Sequence, residues 1–186
     1  VNGIREYCSR NGGSHSYFPV NFDDLSIAND ELISKLSESK AQNKLLAFPA
    51  QSNVSGVKHN LNYIKIAREL GWDVILDAAA FVPTSILDLK EHQPDLVSVS
   101  FYKIFGYPTG IGCLLVNKSS FEKLKKRWFA GGTVNLVSAK TPYFYLAENH
   151  ERFENGTVNY LGIPAIKIGL DYIQEIGMQR INERVN

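Results

Sequence analysis

Asp73-Val74-Ile75-Leu76-Asp77-Ala78-Ala79-Ala80 is the stretch on which the fold turns. A short apolar run bounded by carboxylates is too brief for a helix and reads as a buried strand. Just upstream, Asn60 to Leu70 carries Leu61, Ile64, Ala67 and Leu70 on one helical face, and Gly71 supplies its stop. Before that helix, Leu45-Leu46-Ala47-Phe48-Pro49 is another short apolar run, followed by a polar loop, Gln51 to Val57, that contains Gly56. Downstream, Leu96-Val97-Ser98-Val99-Ser100 and Ile111 to Val116 read as further strands. Asn29 to Ser39, Lys118 to Lys126 and Pro164 to Ile176 read as helices, and Val1 to Asn11 as a short one closed by Gly12-Gly13. Ser16 to Val20 is a candidate strand, and Tyr143-Phe144-Tyr145-Leu146 a strand or an interface edge. Strands alternating with helices predict an α/β fold with a mostly parallel sheet.

The whole chain has 186 residues, which suits one domain or a large piece of a bigger one. Apolar residues make up 44% and charged residues 21%, the balance of a globular chain rather than a disordered one. Twenty basic against 19 acidic residues leave a net charge of +1, so neither a nucleic-acid footprint nor a polybasic membrane patch is expected. No apolar run approaches the roughly 18 residues of a bilayer crossing, and no signal-peptide pattern opens the chain. Cys8 and Cys113 form no disulfide framework, and His15, His59, His92 and His150 have no metal-ligand spacing. A cytoplasmic protein without a metal is the expectation. The basic run Lys118 to Arg127 reads as a solvated helix face, Cys113 as a buried core thiol, and Trp128-Phe129 as core or a subunit contact.

In open α/β sheets, ligands bind beyond the carboxyl ends of the strands. Those ends carry Gln51-Ser52-Asn53, then Asp77, then Ser100-Phe101-Tyr102-Lys103. A carboxamide, a carboxylate, hydroxyls and an amine therefore gather at one sheet edge. Two readings of Lys103 are open. Its apolar neighbours Tyr102, Ile104 and Phe105 would desolvate the ammonium, lower its pKa and make it a nucleophile toward an aldehyde. Alternatively, the side chain snorkels past the rings to water. An Asp that pairs with a pyridinium nitrogen and a Lys that forms a Schiff base are the protein groups that pyridoxal phosphate requires. Its phosphate needs hydroxyl and backbone N–H donors, for which Ser100, Tyr102 and the turn Gly131-Gly132-Thr133 are candidates.

Five markers in this order resemble the class V aminotransferase and cysteine desulfurase family of pyridoxal-phosphate enzymes. They are Ser52-Asn53-Val54-Ser55-Gly56; the strand end at Asp77; Ser100-x-x-Lys103 with Pro108-Thr109-Gly110-Ile111-Gly112; Gly131-Gly132-Thr133; and Arg152-Phe153-Glu154-Asn155-Gly156-Thr157. The resemblance runs from about Leu45 to Gln174. Within the family, Ser100-Phe101-Tyr102-Lys103-Ile104-Phe105-Gly106 is most similar to the molybdenum cofactor sulfurase branch, since general cysteine desulfurases carry Ser-Gly-His-Lys there. Arg152 to Leu161 also suits that branch, as does Val1 to Tyr7, which resembles the stretch after a cofactor-stacking histidine.

The resemblance implies a pyridoxal-phosphate-dependent transferase fold, the large domain of the aspartate aminotransferase type, with helices on both faces of the sheet. It implies that Lys103 binds the cofactor covalently and later moves protons, and that Asp77 pairs with the ring nitrogen. Asn53 would lie near the phenolic oxygen or the substrate carboxylate. Ser100 and Tyr102 would bind phosphate, and Gly132 and Thr133 would belong to the cofactor site, Thr133 reaching a partner subunit's phosphate in a homodimer. Arg152 to Thr157 would line the site or the dimer interface. The implied reaction takes sulfur from L-cysteine, leaving alanine and an enzyme persulfide, and passes the sulfur to the molybdenum cofactor through a domain outside this chain. Two positions depart from the wider family: Ala80 stands where a Gln is usual and Tyr102 where a His is usual, both as in the sulfurase branch. The expectation is that residues 1–186 are part of the cofactor-binding large domain, without its N-terminal part and the C-terminal small domain, and inactive alone. The alternatives are another class V enzyme, such as a general cysteine desulfurase, or a non-catalytic fragment.

Overall fold

Alternate side chains of a strand point to opposite faces. Along Asp73–Asp77, Val74 and Leu76 are fully buried while Asp73, Ile75 and Asp77 are partly exposed. That strand lies inside the sheet of a computed structural model that describes residues 1–107 and 109–185. In chain order the elements are α1 (Ile4–Arg10), α2 (Asn29–Glu38), β1 (Leu45–Pro49), α3 (Asn62–Glu69), β2 (Asp73–Asp77), β3 (Leu96–Ser100) and α4 (Tyr102–Phe105). There follow β4 (Gly112–Val116), α5 (Lys118–Phe121), β5 (Val134–Val137), β6 (Phe144–Leu146), α6 (Ile163–Ile176) and α7 (Met178–Val185). Short 3-10 turns cover Gly131–Thr133 and His150–Phe153.

The sheet order is β1-β2-β3-β4. β1 runs parallel to β2, with Leu45 opposite Asp73 and Pro49 opposite Asp77. β2 runs parallel to β3, with Asp77 opposite Ser98. β4 is antiparallel to β3, from the pair Leu96–Val116 to the pair Ser100–Gly112. The sheet is thus mostly parallel with one reversed edge strand. The reason lies in chain length. A parallel return needs a crossover of about a dozen residues or more, usually with a helix. Residues 101–111 hold one four-residue helix, α4, and turn straight back.

The core is built around β1 and β2. Leu46, Phe48, Val74, Leu76 and Val97 pack with Tyr63, Ile64 and Ala67 of α3 and with Ile27, Leu32 and Leu36 of α2 and its approach. Asp95 fastens the amino ends of the strands. Its buried carboxylate accepts hydrogen bonds from the Val74 N–H at 2.8 Å and from the Ser120 hydroxyl. A buried carboxylate is tolerable when donors satisfy it in this way.

Several local expectations need correction. Ser16 to Val20 forms no strand; only Val20 makes an isolated bridge, to Ile27. The helix expected over Lys118 to Lys126 stops at Phe121. Beyond it, Lys123 pairs with Asp73 at 2.5 Å, and the Lys126 ammonium lies 4.1 Å from the Trp128 ring centre. Partners in different directions, with like charges side by side, do not extend a helix. Cys113 is half-buried in β4 rather than sealed in the core. Trp128 and Phe129 are largely exposed, and Phe129 packs against Phe144 of β6. β5, α4 and α7 were not anticipated from the sequence. No helix among the described residues is long and apolar enough to cross a membrane.

Candidate functional site

The site begins with a tight hairpin after β1. Gln51 and Lys58 form a bridge, and the Ser52 N–H donates to the Val57 carbonyl at 2.9 Å. The Ser52 hydroxyl accepts from the Ser55 N–H at 3.1 Å, and Gly56 closes the turn with φ of +76°, a conformation that favours glycine. This turn puts Asn53 at the exposed tip. His59 ends the hairpin with its N–H on the Ala50 carbonyl. Burial holds its pKa below the usual imidazole value.

Lys103 comes to Asn53 from the other side. It sits in α4, which starts straight after β3 and ends at Gly106 with φ of +83°. The Phe101 and Phe105 rings stack at 6.4 Å with an interplanar angle of 27°. Held between them in sequence, the half-buried Lys103 donates from Nζ to the Asn53 Oδ1 at 2.8 Å. This bond joins residues far apart in the chain at the carboxyl edge of the sheet.

Asp77 ends the strand beside β3. Its Oδ1 accepts from the Ala79 N–H at 3.1 Å and from the Ser98 hydroxyl at 3.3 Å. Both donors act on the same oxygen, which fixes the carboxylate and leaves Oδ2 unengaged among the described residues. Ser98 escaped the sequence reading. Its signal was a polar residue inside an apolar strand, two positions before Ser100 and opposite Asp77. Ser100 ends β3 opposite Gly112, and Tyr102 is 43% exposed; neither hydroxyl has a hydrogen-bond partner among the described residues.

The remaining expected residues lie elsewhere. Thr133 is fully buried, and its hydroxyl donates to the Ala130 carbonyl and accepts from the Ala130 N–H, both at 2.9 Å. For its hydroxyl to donate to a phosphate, the bond it gives to the Ala130 carbonyl would have to open. Gly132 packs closely on the backbone of Glu154, where a Cβ would lie 3.3 Å from the Glu154 carbonyl oxygen. The Arg152 guanidinium lies 4.2 Å from the centre of the Phe121 ring and donates to the Glu148 carbonyl at 2.9 Å. Pro108 lies outside the described residues. Two surface hollows contain neither Lys103, Asn53 nor Asp77. One lies along α3 between Asn62 and Glu69, and the other is at the amino ends of the strands beside Lys44 and Lys123.

The donor set fits pyridoxal phosphate. It offers one amine, a carboxylate with a free oxygen for a protonated ring nitrogen, an amide for a phenolic oxygen, and unpaired hydroxyls for a phosphate. The aminotransferase class-V family model matches residues 5–186. A molybdenum cofactor sulfurase from Caenorhabditis elegans is 43% identical over 155 residues, covering 83% of this chain and 22% of the relative. The molybdenum cofactor sulfurase of Homo sapiens is 38% identical, covering 89% of this chain and 20% of the relative. The chain therefore spans about a fifth of the length of these relatives. Among solved structures, a cysteine desulfurase from Thermococcus onnurineus matches 98% of this chain and 44% of its own, with 28% identity and a TM-score of 0.85.

Proposed function

The chain belongs to the aminotransferase class-V family, and from that premise we propose that it forms part of the cofactor-binding domain of a sulfurtransferase of the molybdenum cofactor sulfurase type. The observation that carries this reading is the 2.8 Å hydrogen bond from Lys103 to Asn53, with the Asp77 carboxylate held in place at the end of β2. The sulfurase branch is favoured over a general cysteine desulfurase by Tyr102 and Ala80, which stand where the wider family carries His and Gln, and by the identity to the sulfurases.

Pyridoxal phosphate, when bound, acts as an electron sink that weakens bonds at the carbon it is joined to through the substrate nitrogen. The chain's residues orient and titrate around it. Asp77 would accept a hydrogen bond from the protonated ring nitrogen, while Ala79 and Ser98 keep its Oδ1 in place. A fixed anion there holds the ring cationic. Asn53 supplies an amide to the phenolic oxygen, and Ser100 and Tyr102 offer hydroxyls to the phosphate. Lys103 takes the proton from the carbon beside the substrate carboxylate and returns it to the product.

The proposed substrate is L-cysteine. Its carbon–sulfur bond breaks, the sulfur passes to an enzyme thiol, and alanine leaves, so that cysteine plus thiol give alanine plus persulfide. Cys113 is a poor candidate for that thiol, because burial raises its pKa and disfavours the thiolate. Cys8 is tied by its Sγ to the Ser14 carbonyl at 3.1 Å on α1. We place the thiol, the step onto the molybdenum cofactor and full turnover with parts of the larger relatives beyond the matched fifth. A homodimer is supported by the exposed apolar residues Leu136, Tyr143, Tyr145, Leu161 and Ile168.

The test is covalent. The protein is incubated with pyridoxal phosphate, reduced with borohydride, digested and mapped by mass spectrometry. A pyridoxyl group on Lys103 that disappears in Lys103→Ala is the expected result. A wild-type protein that carries it only on other lysines refutes the reading.

A further inference from the structure

The bond to Asn53 holds the lysine turn from one side; α6 holds it from the other. Gly169 is a buried residue of α6. A Cβ built there would come within 2.6 Å of three ring atoms of Phe105. Seven residues earlier, at the start of α6, a Cβ on Gly162 would come to 2.6 Å from Ile111 Cδ1 and 2.8 Å from Asn159 Nδ2. A seven-residue step is two helical turns less about 20°, so both glycines share a face, about 10 Å apart. Phe105, two residues past Lys103, and Ile111, at the end of the same turn, both rest on that face.

Glycine inside a helix weakens it, because it gives up more backbone freedom and no side chain packs. Its place at 169 is explained by the close approach of the Phe105 ring. The same ring stacks on Phe101, with centroids 6.4 Å apart. Phe105 is two residues past Lys103 in a four-residue helix. A methyl at 169 would force the ring back by roughly 1 Å to reach ordinary contact distance, and α4 would move with it. A shift of roughly 1 Å is enough to carry a 2.8 Å hydrogen bond outside the usual range of about 2.7–3.2 Å.

We propose that Gly169, with Gly162, is a positioning residue: bare backbone on α6 seats Phe105 and Ile111 and thereby sets the Lys103 amine against Asn53. The proposal rests on the reading of Lys103 as the cofactor-bearing lysine, and its test separates the two. Gly169→Ala, Phe105→Ala, Phe105→Leu and Gly169→Ala with Phe105→Leu are made in the full-length protein. One measurement needs no cofactor: the rate of reductive methylation of Lys103 by formaldehyde, read by mass spectrometry relative to the exposed Lys118. The other is the rate at which borohydride-fixed pyridoxyl accumulates on Lys103. Melting temperature reports packing alone.

Gly169→Ala is expected to raise the methylation rate about threefold, as the amine leaves Asn53, and to slow pyridoxyl fixation about tenfold, the scale of a small misplacement. Adding Phe105→Leu, which makes room for the methyl, is expected to return both rates to within about twofold of wild type. Phe105→Ala removes the ring without crowding α6 and is expected to move both rates in the same directions. It therefore decides the matter should Gly169→Ala fail to fold. Wild-type rates in Gly169→Ala or in Phe105→Ala, even with a lower melting temperature, overturn the proposal. A wild-type protein that takes no pyridoxyl on Lys103 refutes the cofactor reading, while the methylation arm still judges the seating.

Discussion

Residues 27–100 and residues 112–185 are built differently. The first region holds nearly every buried apolar side chain, from Ile27 through Phe48, Ile64, Val74 and Leu76 to Val97. In the second, Ala147 is the buried apolar residue among those described, while Leu161 is 95% exposed and Ile168 70% exposed. The site straddles the two. Asn53 and Asp77 are carried by the dense region; Lys103 stands at the boundary, on a turn seated against α6 of the open one. Stability of this kind is uneven, and the densely packed unit is the last to open. One region carries Asn53 and Asp77, and the other seats the turn that brings Lys103 to Asn53.

The largest expected effect falls at the boundary. Lys103→Ala abolishes pyridoxyl attachment at that position and leaves the free energy of urea unfolding within about 0.5 kcal/mol of wild type, as for other substitutions outside a core. Next come the core substitutions. Phe48→Ala, which removes a fully buried ring packed edge-on against Tyr63, is expected to cost about 3–5 kcal/mol in urea unfolding. Asp95→Ala leaves the Val74 N–H and the Ser120 hydroxyl buried and without their acceptor, at about 1–3 kcal/mol.

A smaller effect comes from His59, whose folded pKa lies below its unfolded one because it is buried. As pH falls through the unfolded value of about 6.5, the unfolded chain takes up a proton that the folded chain refuses, so stability declines. The decline levels off once His59 protonates in the folded protein as well. His59→Gln is expected to flatten this part of a pH–stability curve, and an unchanged slope would assign it to other groups. The smallest effect is expected at Leu114→Ala in β4, where the side chain is 54% exposed: within about 0.5 kcal/mol. A cost at Leu114 comparable to that at Phe48 would erase the contrast between the regions.

Much of the fold was legible because buried strands leave a local mark. The apolar runs at 45–49, 73–77 and 96–100 are the observed strands. The contact of Asn53 with Lys103 was legible for the same reason, since polar residues placed just after such runs come to one sheet edge. The reversal of β4 was not read, although the short interval between Ser100 and Gly112 contained the reason for it. The stop of α5 at Phe121 was hidden because Asp73, the partner of Lys123, is remote in sequence. Ser98 was passed over because it became relevant only once its register opposite Asp77 was known. The roles of Gly162 and Gly169 depend on side chains more than fifty positions away, which no local pattern carries.

The rung between Ser100 and Gly112 closes residues 101–111 into a ring whose two feet are held by the β3–β4 ladder. A protease nick between the exposed Gly106 and Tyr107 would therefore not release the amine. The two pieces would stay stapled by the ladder, with Lys103 still attached to the piece that carries Asn53 and Asp77. The molecule could be cut at this exposed turn, or split there and reassembled from two polypeptides, with the Lys103 amine kept on the strand-bearing half.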